Sequence, residues 1–229
     1  TYPEPQPYTL EALIAETLYI QPDQVCVTNG ATEAIYLIAQ SFARGCSAVL
    51  QPTFSEYADA CRIHGHRIIS IFRLPENGKL PKDVQMLWLC NPNNPTGLVI
   101  DKNQLAQLAG NNPHVMFIID QSYESFTRKQ LFTAREVTGM SNVLLIHSLT
   151  KRYSMPGLRL GYLTGSASLL HHLRTHRMPW SVNSVALLAG MFLLKHPETM
   201  PFDLPACLEE TSRLQSLLRQ TRCIDVWNT

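Results

Sequence analysis

The chain has 229 residues, 45% of them hydrophobic and 16% charged, with a formal net charge of +1. That balance suits a globular protein with a substantial core, and the absence of any Lys/Arg run excludes a nucleic-acid surface or a polybasic membrane site. The longest strongly apolar stretch, residues 185–194, falls well short of the roughly 20 residues of a membrane-spanning helix, so no such segment is expected.

The opening residues 1–7 are Pro-rich and acidic, lack an initiator Met, and do not follow the basic-then-apolar order of a signal peptide. Cys26, Cys46, Cys61, Cys90, Cys207 and Cys223 form no CxxC pair. They are expected to be reduced core residues of a cytoplasmic protein. His172 and His176 have the i, i+4 spacing that suits a metal, with His171 beside them, but no carboxylate or Cys lies nearby. A solvated helix face is expected there, and no metal.

Residues 9–19 carry Leu10, Leu13, Ile14 and Leu18 at helical spacing, an amphipathic helix. A short strand over 25–28 runs into Asn29-Gly30 and a helix over 31–43. The unit then repeats: strand 48–51 with helix 56–64, and strand 86–90 with helix 102–109. Strands over 67–71, 115–120, 143–148 and 158–163 have the continuous apolar character of strands buried on both faces. This alternation predicts an α/β domain with a mainly parallel sheet and helices on both faces. Beyond Ser168 the pattern is helical, over 171–175, 184–195 and 204–220, before an apolar segment, 223–227, that reads as the first strand of a second domain. The expected division is a large domain over 1–195 and the beginning of a small, truncated one over 196–229.

In an open α/β sheet, ligands gather beyond the carboxyl ends of the strands. Asn29-Gly30-Ala31-Thr32-Glu33 sits at a strand-to-helix junction, where free N–H groups suit an anion, although a purely structural turn has the same pattern. Asp120 follows four apolar residues, so its carboxylate is partly buried and needs a partner, or else caps a turn. More specific is the segment from His147 to Gly161. Lys151 lies just past a strand and is followed by a Pro156-Gly157 turn and then Arg159 on the next strand. A lysine that forms an imine must lose its proton, while a phosphate dianion is suited by a bidentate arginine beside a hydroxyl such as that of Ser148.

Together with Tyr2-Pro-Glu-Pro, Pro52-Thr-Phe54, Asn91-Pro-Asn-Asn-Pro-Thr-Gly97 and Asp120 with Tyr123, these motifs cover nearly the whole chain. Their order resembles that of the fold type I pyridoxal-phosphate enzymes, the aspartate-aminotransferase fold. The likeness is to the branch that holds histidinol-phosphate aminotransferases and threonine-phosphate decarboxylases. The resemblance implies pyridoxal 5'-phosphate as cofactor, carried by Lys151 as a Schiff base. Asp120 pairs with the ring nitrogen, Asn94 and Tyr123 face the ring oxygen, and Phe54 stacks on the ring in place of the more usual tyrosine. Ala31, Thr32, Ser148 and Arg159 hold the phosphate, and Tyr2 reaches the phosphate of a neighbouring subunit, which implies a homodimer with shared sites.

Within the branch, Arg177-Met-Pro-Trp-Ser-Val-Asn183 and Gly157-Leu-Arg-Leu-Gly-Tyr162 resemble the decarboxylases of cobalamin biosynthesis more than the aminotransferases. The implied reaction is decarboxylation of L-threonine O-3-phosphate to (R)-1-amino-2-propanol O-2-phosphate. A histidinol-phosphate-type aminotransferase is the alternative, and a cofactor-sensing regulatory domain a lesser one.

Overall fold

The computed structural model describes residues 2–221 and 223–226. A helix α1 (Tyr8–Leu18) leads into β1 (Val25–Thr28) and α2 (Gly30–Ser41), then β2 (Cys46–Leu50), α3 (Glu56–Ile63), β3 (Arg67–Ile71) and β4 (Met86–Cys90). After α4 (Lys102–Asn111) come β5 (Met116–Asp120), the short α5 (Ala134–Val137), β6 (Val143–Ser148), a one-turn α6 (Leu149–Arg152) and β7 (Gly161–Gly165). Three helices close the described chain: α7 (Ala167–Arg174), α8 (Ser184–Lys195) and α9 (Leu204–Gln220).

The seven strands form one sheet in the order β1-β7-β6-β5-β4-β2-β3, and only β7 runs against its neighbours. The carboxyl ends of six strands and the amino end of β7 therefore share one edge. The architecture is α/β with a mainly parallel sheet, as the alternation of elements predicts.

Alternation along the strands sends side chains to two faces. On one face α2, α3 and α7 pack against Cys26, Trp88, Ile118 and Ile146. On the other, α4 and α5 cover Leu87, Phe117 and Leu145, while α1 and α8 cover Val25, Val27 and Tyr162. Buried polar groups within these layers are paired, as burial demands. The Trp88 indole donates to the Ser47 hydroxyl at 3.2 Å, which in turn donates to His66 Nδ1 at 2.9 Å, and His66 Nε2 donates to the Ala39 carbonyl at 2.8 Å.

The segment from Arg177 to Asn183 has a structural task. Arg177 is buried and donates to Glu11 Oε1 at 2.7 Å, to the Val27 carbonyl at 3.1 Å and to Gln6 Oε1 at 2.7 Å. Glu11 also accepts from the Val27 N–H. Trp180 donates to the Pro3 and Pro5 carbonyls. This cluster fastens the N-terminal segment and α1 to β1. Arg174 also lies 3.6 Å from Glu11 Oε2, so Arg177→Met leaves the buried carboxylate a weaker partner and is expected to cost about 3 kcal/mol, the low end for breaking a buried pair. The double replacement with Glu11→Leu should cost less than the single one. Thermal melts of the two variants check this, and equal losses would contradict it.

Several boundaries depart from the sequence reading. β7 begins at Gly161 rather than at 158, because Pro156–Leu158 form a 3₁₀ turn and Arg159 takes a left-handed conformation at φ 56°. Arg159 thus precedes the strand instead of lying on it. Lys151 lies within α6, one turn past β6. The helix expected over 171–175 begins earlier, at Ala167, where Ser166 caps it. Residues 223–226 form no strand, and Trp227, the last residue of that expected strand, lies outside the described residues. Cys26, Cys46, Cys61 and Cys90 are buried free thiols as expected, but Cys223 is exposed and Cys207 only half-buried on α9, which buries no residue of its own. No helix among the described residues is long and apolar enough to cross a membrane. They contain no cluster of metal-ligating side chains either.

Candidate active site

The shared edge of the sheet carries a cleft lined by Ala31, Thr32, Phe54, Tyr57, Cys90, Asn94, Asp120, Ser122, Tyr123, Ser148, Thr150, Lys151 and Arg159. Strand register explains why residues so distant in sequence meet. Cys90 lies beside Asp120, and Thr28 and Ser148 both pair with Gly161, so each turn that follows opens onto the same space. Because β7 is antiparallel, Arg159 at its approach reaches the edge that the other residues reach by following their strands.

Two glycines permit the close approach at the anion end. Gly30 has φ +79°, and a Cβ there would lie 2.7 Å from Arg159 Nη2. A Cβ at Gly161 would lie 2.7 Å from the His147 carbonyl and 2.8 Å from the Ala31 nitrogen. The guanidinium therefore sits against the first turn of α2, where it donates to the Thr32 hydroxyl at 3.5 Å and to the Pro156 carbonyl at 3.1 Å. No side chain of Asn29 caps that turn, so its free N–H groups and the helix dipole favour an anion. Ser148 and Thr150 hydroxyls, 2.8 Å apart, complete this end.

At the other end Asp120 is 4% exposed, on the face of the sheet covered by α3. Tyr57 of α3 donates to its Oδ2 at 2.7 Å, and the Ser122 N–H donates to its Oδ1 at 2.8 Å. Burial pushes the Asp120 carboxyl up from its ordinary value, against the opposing pull of those two donors and of His147. No cation stands within 4 Å of it among the described residues. A buried carboxylate without a cation fits a ligand that brings one, such as a protonated ring nitrogen. An aromatic cation at Asp120 joined to a phosphate dianion at Arg159 is the pattern of pyridoxal phosphate, and the donor set fits it.

Lys151 lies between these ends, its Nζ 5.8 Å from the centre of the Tyr123 ring. Phe54 stands edge-on to Tyr57 at 5.8 Å between ring centres, and Tyr57 stacks on Trp88. The asparagines of the 91–97 segment divide their tasks. Asn91 exchanges hydrogen bonds with the backbone of Ile100. Asn93 accepts from the Thr53 hydroxyl and donates to the Pro52 carbonyl and the Thr96 hydroxyl, so it ties the Phe54 turn to its own. Asn94 alone of the three lines the cleft.

Every site residue expected from the sequence thus lines one cleft, save Tyr2. That residue is 88% exposed and stands edge-on to Trp180 at 6.4 Å, away from the cleft. Trp180 does not line it either. Tyr57, Cys90, Ser122 and Thr150 line it without having been expected. Thr150 was one residue from Lys151 and could have been found as a second hydroxyl beside Ser148. For Tyr57 there was no signal, because its relation to Asp120 exists only once α3 lies beneath the sheet.

Comparison with known proteins agrees with this geometry. The crystal structure of L-threonine-O-3-phosphate decarboxylase from Porphyromonas gingivalis superposes with a TM-score of 0.92 at 31% identity, over 98% of this chain and 69% of that one. The threonine-phosphate decarboxylase of Salmonella typhimurium is 28% identical over 238 residues, 99% of this chain and 65% of its own length. The histidinol-phosphate aminotransferase of Desulfitobacterium hafniense is 27% identical over 244 residues, 100% of this chain and 67% of its own. The chain spans between 54% and 67% of the length of the curated relatives it matches. The sequence pattern described as Aminotransferase class I and II matches residues 1–222. A cleft that offers an anion cradle, a lysine and a buried carboxylate along one sheet edge accords with that match: the chain belongs to the class I and II aminotransferase family, whose cofactor is pyridoxal phosphate.

Proposed function

We propose that the chain is the cofactor-binding part of an enzyme that decarboxylates L-threonine O-3-phosphate to (R)-1-amino-2-propanol O-2-phosphate, a step of cobalamin biosynthesis. The likeness to the Porphyromonas gingivalis decarboxylase, in fold and in identity over nearly the whole chain, carries this reading. The enzyme works in the cytoplasm as a homodimer, in which Tyr2 of one protomer reaches the site of its partner. Residues 1–195 form its large domain and 196–229 begin a small one, in keeping with α9, which has no buried residue of its own.

When bound, pyridoxal phosphate supplies an electron sink for the pair left as a bond at the substrate's alpha carbon breaks. Lys151 would hold the cofactor through its Nζ, and the same amine would carry a proton to the substrate's alpha carbon. Asp120 keeps a proton on the ring nitrogen, Tyr123 and Asn94 donate to the ring oxygen, and Phe54 covers the ring. Ala31 and Thr32 N–H groups, the Ser148 and Thr150 hydroxyls and Arg159 hold the phosphate. Orientation of the substrate in the cleft would separate decarboxylation from transamination.

Tyr57 acts through Asp120. Tyr57→Phe deletes a hydrogen bond to a carboxylate and is expected to lower turnover about tenfold, on the order of 1.4 kcal/mol, with the fold retained. Steady-state rates beside a melting curve check it; unchanged turnover would remove Tyr57 from the account.

The second reading, a histidinol-phosphate aminotransferase, is favoured by the full-chain match to the Desulfitobacterium hafniense protein at nearly the same identity. Incubation of the full-length, cofactor-loaded protein with threonine phosphate separates the two. Carbon dioxide with aminopropanol phosphate is expected. Keto-acid formation from histidinol phosphate and 2-oxoglutarate, without carbon dioxide from threonine phosphate, would overturn the decarboxylase reading.

A further inference from the structure

Behind the cleft, on the opposite face of the sheet from Asp120, lies a polar cluster that the proposed chemistry does not use. His147, 3% exposed, is held between two partners: its Nδ1 lies 3.1 Å from Glu124 Oε1 and its Nε2 3.1 Å from the Thr164 hydroxyl. Its ring stacks on Tyr162 at 4.5 Å and an interplanar angle of 12°, so two strands and a loop fix one imidazole. Glu124 is only half-buried, yet its carboxyl stays below its ordinary value. Burial pushes it up, and the charge of His147, hydrogen bonds from His147 and Gln121, and the charge of Arg152 outweigh that push. The other ionisable groups facing this cluster are Asp120, which feels His147 from the far side of the sheet, and the buried phenols of Tyr162 and Tyr153.

Adjacency in the chain gives the cluster its meaning. Glu124 follows Tyr123, His147 precedes Ser148, and Arg152 follows Lys151. Each member is the immediate neighbour of a residue lining the cleft. The bond between Glu124 and His147 therefore joins the turn that bears Tyr123 to the end of β6, which bears Ser148 and leads into the α6 turn of Lys151. The Tyr123 turn is anchored at its start, where the Gln121 N–H donates to the Ile146 carbonyl and the Gln121 amide to the Phe132 carbonyl, and at its end, where Phe126 stands edge-on to Phe202. Between these anchors the backbone bonds stay within the turn, the Glu124 N–H on the Gln121 carbonyl and the Phe126 N–H on the Tyr123 carbonyl, so the Glu124 carboxylate supplies the side-chain bond from this stretch to β6. A ring oxygen gains from a phenol only when that phenol is held in place.

We propose that His147 and Glu124 are positioning residues, a clasp that fixes Tyr123 relative to Lys151 and so sets the strength of the Tyr123 contact to the cofactor. This rests on the cofactor reading of the cleft and extends it to two residues that touch neither cofactor nor substrate.

The test is a pH titration of the full-length protein loaded with pyridoxal phosphate, reading the midpoint of the bound cofactor's absorbance change rather than turnover. Loss of a donor to the ring oxygen raises that midpoint, so Tyr123→Phe is expected to move it up by about one pH unit. His147→Phe, which keeps a ring against Tyr162, and Glu124→Ala should each raise it by roughly half a unit or more, and neither should add to the shift of Tyr123→Phe when combined with it. Glu124→Gln still accepts from His147 and should stay near the wild type. Should His147→Phe fail to fold, Glu124→Ala, at a half-buried position, carries the same comparison. Midpoints within about 0.2 units of wild type for Glu124→Ala, or shifts that add to that of Tyr123→Phe, overturn the clasp. A wild-type protein that shows no cofactor absorbance at all overturns the reading of the cleft instead.

Discussion

Replacement of Lys151 by Ala is expected to abolish covalent attachment of the cofactor and to reduce turnover by at least about 10³-fold. The size of the effect follows from the residue's double duty. In the proposed reaction its amine is the point of attachment and also the group that carries a proton to the substrate's alpha carbon. Asp120 is engaged by Tyr57 and Ser122, and Arg159 is committed to the anion end, so neither can replace it. The anion cradle does not involve the Lys151 amine, so the variant should still take up cofactor noncovalently. Absorbance of the loaded protein and product formation check the two halves separately, and a variant with wild-type turnover would remove Lys151 from the mechanism.

Asp120→Asn is expected to act in two opposite directions. Turnover should fall about a hundredfold or more, because an amide does not keep a proton on the ring nitrogen and the ring then draws electrons poorly. The cofactor-free protein, by contrast, should become more stable. The folded-state value of the Asp120 carboxyl is raised above its ordinary one by burial, so ionising it costs folding free energy. Stability falls as pH rises from the ordinary value through the raised folded one. An asparagine carries no charge, yet can accept from the Ser122 N–H and donate to the Tyr57 hydroxyl. Melting temperatures of the two cofactor-free proteins at neutral pH should therefore favour the variant, and the gap should shrink in acid. A variant that is less stable at neutral pH would contradict this description of Asp120. The same buried carboxylate that costs stability without cofactor gains a cationic partner with it, which is the trade expected of a site preorganised for a ligand.

Much of this site was legible because the fold concentrates chemistry at strand ends. Asp120, Ser148 and Asn94 each follow an apolar run with clear boundaries, and a reader who assumes a parallel sheet can bring them to one edge. Arg159 was legible as a residue but not as a conformation. Leu158 and Leu160 flank it in an alternating pattern that reads as strand, while Pro156 and Gly157 shape a 3₁₀ turn that a period-two pattern does not reveal.

Residues that act across the layers were not legible. Tyr57 lies 63 positions from the carboxylate it serves, and the bond depends on how α3 crosses the sheet. Glu11 and Arg177, 166 positions apart, appeared in sequence as a helix face and as part of a loop, yet they form the buried pair that holds the N-terminal segment. The apolar run 223–227 reads as strand in sequence, and its described residues, 223–226, form none.

The most direct test of the central claim is chemical. Borohydride treatment of the full-length protein loaded with pyridoxal phosphate fixes the cofactor to the lysine that holds it, and peptide mass analysis then identifies that lysine. The account predicts a single modified peptide carrying Lys151. Modification centred on another lysine, such as Lys102 or Lys129, with Lys151 unmodified, would contradict it.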